Sequence, residues 1–244
     1  MLRNDTRRRT VTTHPRTTEA PLVTAQAKHI VAETGVLNNP YFRTLVDGSM
    51  SLEGFRTSQE QLGFAVTYFA RPMAALVSRV EHPADRIGIL GNVVEEHGGF
   101  RPQEFHHETF RRFLASIGSD TVRLNDLKTM PAVHAYNSVL SAVCTLEDPQ
   151  VGIACMGAIE YAFASVSTIT GNAAVNRGWV AQADLTHYGL HSEIDEQHAE
   201  DFFLLLEPHY GNPAARHRID QGLGLGAYAL NRLYSDLSEL ARSQ

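Results

Sequence analysis

The chain has 244 residues, a formal net charge of -6 and 43% hydrophobic residues, which suits one sizeable globular domain. The negative charge disfavours a broad nucleic-acid-binding surface, and two cysteines without a CxxC pair give no basis for a structural zinc site. The N-terminus lacks the apolar segment of a secretory signal, and no membrane-spanning run of apolar residues occurs. We therefore expect a cytoplasmic protein without nucleic-acid or membrane partners.

Residues 1–20 are rich in Thr and Arg and predict a disordered tail, whereas residues 21–244 predict one domain. From Pro21 onward the apolar residues follow helical spacing, and no alternating β pattern of useful length appears. Asn39-Pro40 begins a short segment of its own. Longer helices are predicted at 22–34, 51–80, 83–96, 102–118, 131–145, 149–170, 183–206 and 213–241. The sequence therefore predicts an all-α fold, a bundle of seven or so helices that could hold metal sites in its interior.

The helix predicted at 183–206 contains His191, Asp195 and His198, which follow one another at positions i, i+4 and i+7. At about 100° per residue these three lie within an arc of about 60° over two turns. Two imidazoles and one carboxylate on one face suit iron, manganese or zinc. Glu200 falls outside this arc and is expected to face solvent. The alternative is an amphipathic helix whose histidines only pack or form hydrogen bonds.

Glu160 lies in the most apolar stretch of the chain, with no other charged residue between Asp148 and Arg177. A helix that is apolar on nearly all sides is buried, and an unpaired buried carboxylate costs several kcal/mol. A cation must therefore compensate it, either an arginine or a metal ion. The nearby histidine-rich helix favours the metal.

The segment from Glu96 to Ile117 offers several further candidate ligands. Helical spacing places His106 about 30° from the centre of the apolar face and His107 about 70° away on the other side, so His106 is expected to point inward. Glu96 is the last acidic residue before Gly98-Gly99, a break that would let its carboxylate move. Together with the residues above, the predicted ligands are Glu96, His106, Glu160, His191, Asp195 and His198. Three carboxylates and three imidazoles in a helical bundle are typical of di-iron or di-manganese sites.

The order Glu96, His106, Glu160, His191-x3-Asp195-x2-His198 resembles the haem-oxygenase-like di-iron oxidases and oxygenases, relatives of the TenA/PqqC-like proteins, over roughly residues 22–240. The resemblance implies a seven-helix haem-oxygenase-like bundle without haem, two irons that activate O2, and a homodimer. Members oxidise nitrogen in amines, desaturate or cleave amino acids, or decarboxylate fatty acids, often in natural-product biosynthesis. A small amine or amino-acid-derived substrate is the expectation here, with electrons supplied by the substrate or an external reductant. Some N-oxygenating relatives carry an additional carboxylate, for which Glu60 is a candidate.

Three alternatives stay open at this point. A cofactor-free or hydrolytic enzyme of the thiaminase-like or quinone-cofactor branch would give Cys144 or Cys155 a role. Haem oxygenase itself needs a proximal histidine on the first helix, where His29 is available, but leaves Glu160 unexplained. A metal-binding helical protein without turnover would use the same ligands and perform no reaction.

Overall fold

A computed structural model describes residues 19–244, without the side chains of residues 190–196. Of the predicted tail at 1–20, residues 1–18 lie outside the described residues, whereas Ala20 is buried. Within them the fold is all-α, as predicted, with nine α-helices and no strand. The count exceeds seven because the eight longer helices predicted above remain separate helices. The segment after Asn39 forms a short ninth helix. The helices are α1 Pro21–Thr34, α2 Pro40–Val46, α3 Leu52–Val77, α4 Arg86–Glu96, α5 His106–Ser116, α6 Pro131–Thr145, α7 Pro149–Asn176, α8 Tyr188–Leu206 and α9 Pro213–Arg242.

The central helix of the bundle is α7, which packs against α8, α9 and α6. It begins at Pro149 after Asp148, whose side chain accepts a hydrogen bond from the Gln150 N–H and so caps the helix. By length and composition alone α7 could span a membrane, but 72% of its most apolar window is buried within the bundle. That burial is what a core helix of a helical bundle requires.

Close contact between α7 and α9 depends on two glycines one turn apart in α9. A Cβ atom at Gly222 would lie 2.4 Å from the Val151 carbonyl oxygen, and one at Gly226 would lie 2.3 Å from the Cys155 carbonyl oxygen. Both oxygens belong to the backbone of α7, so neither can rotate out of the way. The two glycines therefore set the separation of α7 and α9, and with it the space left for the side chains around Glu160.

Two carboxylates of the α8 region hold the first turn of α1. Glu207 accepts hydrogen bonds from the Leu22 and Val23 N–H groups at 3.1 and 2.9 Å, and Glu200 accepts one from the Ala20 N–H at 2.9 Å. These donors have no partner within their own helix, so the carboxylates act as N-terminal caps from another part of the chain. The expectation that Glu200 faces solvent is wrong, because helical spacing cannot show that α1 lies against this side of α8.

The connection from α4 to α5 is tight and differs from the predicted helix at 102–118. Gly98, Gly99 and Phe100 have φ values of 55°, 59° and 66°, and Pro102–Glu104 forms a 3-10 turn. Phe105 is extended, with ψ of 138°, so α5 begins only at His106. A Cβ atom at Gly98 would lie 2.5 Å from the backbone carbon of Glu104, which explains a glycine there. The reversal returns His106 to the end of α4, beside Glu96.

The packing of α9 on α7 predicts opposite effects for two neighbouring glycines. Gly226→Ala should lower the free energy of unfolding by about 1–3 kcal/mol, since the added methyl group meets the Cys155 carbonyl oxygen. Gly224→Ala, with nothing within 4 Å of the added atom, should be neutral or stabilise by up to about 1 kcal/mol. Urea denaturation measures both. Equal effects of the two substitutions would contradict the close contact.

The capping of α1 predicts a local effect for Glu207→Ala. Loss of a carboxylate that accepts two helix N-terminal N–H groups should cost about 1–2 kcal/mol and speed amide hydrogen exchange in the first turn of α1. Glu239→Ala, at an exposed position of α9, is the control. Unchanged exchange in α1 would show that Glu207 does not hold this helix.

Candidate metal centre

A small cavity of about 50 Å³ lies in the middle of the bundle, and we call it the inner cavity. Side chains from six helices, α3 to α7 and α9, form its surface. Its ionisable groups are two carboxylates, one imidazole and one phenol, and its other groups are apolar. The lining residues are Leu62, Ala65, Val66, Phe69, Glu96, His106, Tyr136, Ile159, Glu160, Phe163 and Leu230.

Glu96 and His106 form the first acid–imidazole pair of the inner cavity. The His106 Nδ1 and Glu96 Oε1 atoms are 2.9 Å apart, and the two side chains are only 3% and 6% exposed. Burial by itself lowers the pKa of His106, but the negative charges of Glu96 and, more weakly, Glu160 outweigh it and raise that pKa. The pair therefore forms a buried acid–imidazole contact at the surface of the cavity.

Glu160 and His198 form the second pair, from α7 and α8. The His198 Nδ1 and Glu160 Oε2 atoms are 3.8 Å apart, and both side chains are 4% exposed. Asn92 of α4, one turn before Glu96, donates a hydrogen bond to the His198 backbone carbonyl at 3.2 Å. This contact links α4, which carries Glu96, to α8, which carries His198. Glu160 is buried, as its apolar surroundings predict.

The structure brings four of the six predicted ligands to the centre of the bundle: Glu96, His106, Glu160 and His198. The side chains of His191 and Asp195 lie outside the described residues, although the backbone of α8 is helical and places them two turns and one turn before His198. Among the described side chains, no group of three or more His, Cys, Asp or Glu is positioned to hold a metal ion.

The chemistry of the four described residues fits iron. Carboxylate oxygens and imidazole nitrogens are its usual protein ligands, and the donors come from four helices. Two carboxylates within an apolar interior also need positive charge nearby, which the imidazoles supply only when protonated. Bound cations would satisfy the same need with the imidazoles neutral.

His187 is a buried residue beside this centre that is not among the six predicted ligands. Its ring is 6.2 Å from the His106 ring, centroid to centroid, and its Nδ1 lies 3.1 Å from the Thr109 hydroxyl. Thr109 is on α5, one turn after His106. The sequence could have indicated His187, because it precedes His191 by four residues and so falls on the same face of a helix.

Other histidines and Glu60 lie away from the inner cavity. His107 is exposed and 3.3 Å from Glu108, in keeping with the helical orientation predicted for α5. Glu60 lies in a separate surface pocket with His107 and Arg111, so this structure does not place it beside the candidate ligands. His29 is 59% exposed and lies 3.4 Å from Glu33, a position unsuited to a haem ligand.

Neither cysteine has the properties of a nucleophile. Both are buried free thiols, and burial raises the pKa of Cys144 to about 12 and that of Cys155 further still. A thiol must ionise to attack a substrate, and neither residue lines the inner cavity. The surroundings of Cys144 and Cys155 therefore disfavour cysteine-dependent chemistry.

Solved structures with the same fold share little sequence with this chain. A TenA homologue from Pseudomonas syringae is 16% identical, with a TM-score of 0.73 over 95% of this chain and 99% of that one. A CADD-like protein of unknown function from Nostoc punctiforme is 14% identical, with a TM-score of 0.73 over 90% and 96%. A domain of unknown function with a haem-oxygenase-like fold from Shewanella denitrificans is 16% identical, with a TM-score of 0.71 over 91% and 92%.

At such identity these structures show the haem-oxygenase-like fold alone, and among curated proteins no match to the chain was found. A family model does match, over residues 59–229, and its family is described as iron-containing redox enzymes. The matched range covers more than half of the chain and includes every candidate ligand. The chain therefore belongs to the family of iron-containing redox enzymes with the haem-oxygenase-like fold.

Proposed function

We propose that this protein is a non-haem di-iron oxidase or oxygenase that uses O2 to oxidise a small organic molecule. The observation that carries the proposal is the pair of buried carboxylate–imidazole contacts, Glu96–His106 and Glu160–His198, at the centre of the bundle. Burial of charged groups costs several kcal/mol in desolvation, so their presence in the core makes the centre of the bundle a candidate functional site. Family membership supports iron as the metal.

The proposed ligands of the two irons are Glu96, His106, Glu160, His191, Asp195 and His198. Glu160 is the proposed shared ligand, since it lies on the central helix near both histidines. Its negative charge contributes to the raised pKa of His106, and its Oε2 atom lies 3.8 Å from the His198 Nδ1 atom. Iron bound there would supply electrons and open coordination positions for O2. Iron binds imidazole in its neutral form, so iron and a proton would compete for His106.

The inner cavity favours oxidation of an apolar part of the substrate. Apart from its four ionisable residues, its lining consists of Leu, Ala, Val, Ile and Phe side chains. Such a surface excludes water and holds a hydrocarbon group next to Glu96 and Glu160. We therefore favour C–H desaturation or cleavage of an amino-acid-derived or similar small metabolite over N-oxygenation of an amine.

The second candidate is a cofactor-free or hydrolytic enzyme, and the observation in its favour is the TenA homologue among the structures of the same fold. The high pKa of both cysteines weighs against the thiol chemistry that this candidate would assign to them. A metal-binding protein without turnover would share the ligands and differ only in failing to consume O2 with substrate.

Iron titration without oxygen tests the proposal most simply. The wild-type protein should bind two ferrous ions per chain and develop a transient visible absorption when O2 is admitted. Glu160→Ala should lose at least one ion, because the carboxylate shared by both is gone. Retention of both ions by the variant would refute the shared role, and failure of the wild type to bind iron would refute the function.

A matched pair of adjacent histidines tests the weaker half of the site. His106→Ala should lower iron affinity by about 10-fold or more, since a buried ligand is removed. His107→Ala, at the exposed neighbouring position, should bind iron like the wild type. Calorimetry gives the affinities, and thermal unfolding checks that both variants fold. Equal iron affinities of the two variants would remove His106 from the ligand set.

A further inference from the structure

A surface groove of about 630 Å³ lies between α3 and α6, and we call it the α3–α6 groove. Its size is within the range of small-molecule sites. It shares no lining residue with the inner cavity, so a molecule bound here is away from the candidate metal centre. The chain is acidic overall, yet no Asp or Glu occurs among the described residues of this groove. Its lining residues are Phe64, Thr67, Tyr68, Arg71, Thr129, His134, Asn137, Ser138, Ser141, Ala142, Thr145 and Leu146.

Arg71 is the permanent cation of the α3–α6 groove. Its guanidinium carbon lies 5.4 Å from the centre of the Tyr68 ring, which lines the same groove, so the stacking holds the charge on this side of α3. No carboxylate among the described residues pairs with Arg71. Other arginines are engaged by acids, as Arg112 is with Glu104 at 3.8 Å. The guanidinium of Arg71 is therefore available to one negative group of a ligand.

The hydroxyl groups of the groove are left as hydrogen-bond acceptors. Ser138, Ser141 and Thr145 each donate their hydrogen to the backbone carbonyl four residues earlier in α6, at 2.6–3.0 Å. Thr67 does the same in α3 at 2.8 Å. Since the Ser141 hydrogen is used in this way, the contact between the Tyr68 and Ser141 hydroxyls has Tyr68 as its donor. A hydroxyl has one hydrogen and two lone pairs, so these groups can only accept a hydrogen bond from a ligand.

Asn137 adds a further acceptor at the base of the groove, where it is only 8% exposed. Its Nδ2 atom lies 3.4 Å from the Phe64 carbonyl oxygen. Its Oδ1 atom is buried and accepts no hydrogen bond from the part of the chain that the structure describes. Buried polar atoms without a partner are uncommon in proteins, and a donor from a bound molecule would satisfy this one.

We propose that the α3–α6 groove binds a sugar acid, that is, a hydroxyl-rich molecule with one carboxylate. The ligand carboxylate pairs with Arg71, and its hydroxyl groups donate to the acceptor oxygens of the groove. One permanent cation matches one negative charge. An apolar chain would leave the acceptors unpaired, and an ammonium group would be repelled by Arg71 and find no carboxylate in the described lining. The site needs no iron and is independent of the proposed function.

Gluconate, gluconamide and hexanoate are suitable probes, because all three have six carbons and they differ in charge or in hydroxyl groups. Calorimetry with the full chain should show gluconate binding about five-fold more tightly than the uncharged gluconamide, as expected for one exposed ion pair. Gluconate should also bind about ten-fold more tightly than hexanoate, as expected for two net hydrogen bonds.

Two matched pairs of variants test the two kinds of contact. Arg71→Gln should abolish the difference between gluconate and gluconamide, whereas Arg43→Gln, at an exposed position of α2, should retain it. Thr145→Val should weaken gluconate binding about two- to three-fold and leave hexanoate binding unchanged. Ser78→Ala is its control, since the Ser78 hydroxyl also donates to a backbone carbonyl but lies outside the groove.

Intermolecular nuclear Overhauser effects give the location of the ligand. Protons of gluconate should contact the Tyr68 ring and not the Phe163 ring of the inner cavity. No binding of gluconate, equal affinities of gluconate and hexanoate, an unchanged preference for the carboxylate in Arg71→Gln, or contacts at Phe163 instead of Tyr68 would each overturn the proposal. None of these measurements uses iron, so a failure of the proposed function would be recognised separately.

Discussion

The structure depends most on the burial of one carboxylate, Glu160, on the central helix α7. A charge in that position is unfavourable unless a cation or several hydrogen-bond donors compensate it, and the penalty is several kcal/mol. The fold supplies His198 from α8 and the nearby His106 from α5, both almost fully buried. The same requirement for positive charge makes the centre of the bundle suited to metal ions.

Other features of the fold bring the second carboxylate to the same place. The left-handed residues after α4 reverse the chain, so that His106 at the start of α5 meets Glu96 at the end of α4. Asn92 connects α4 to the backbone of His198, and Gly222 and Gly226 let α9 approach α7 closely. The inner cavity is thus defined by backbone contacts between helices as much as by its own side chains.

Helical spacing predicted the all-α fold, the burial of Glu160 and the choice of His106 over His107 as the inward-facing residue. These are properties of one helix at a time, and periodicity describes them well. Helical spacing could not predict the contacts of Asn92, Glu200 and Glu207, because their partners are about 100 or more residues away in the chain. The roles of His191 and Asp195 remain predictions from sequence.

The three solved structures compared above share the fold at 14–16% identity, so the fold alone does not distinguish a di-iron oxidase from a cofactor-free enzyme. Anomalous X-ray diffraction at the iron edge, from crystals grown with ferrous iron under anaerobic conditions, would locate any metal beside Glu160. Two anomalous peaks per chain are expected, one on each side of the Glu160 carboxylate. Absence of any peak within coordination distance of Glu160 would contradict it.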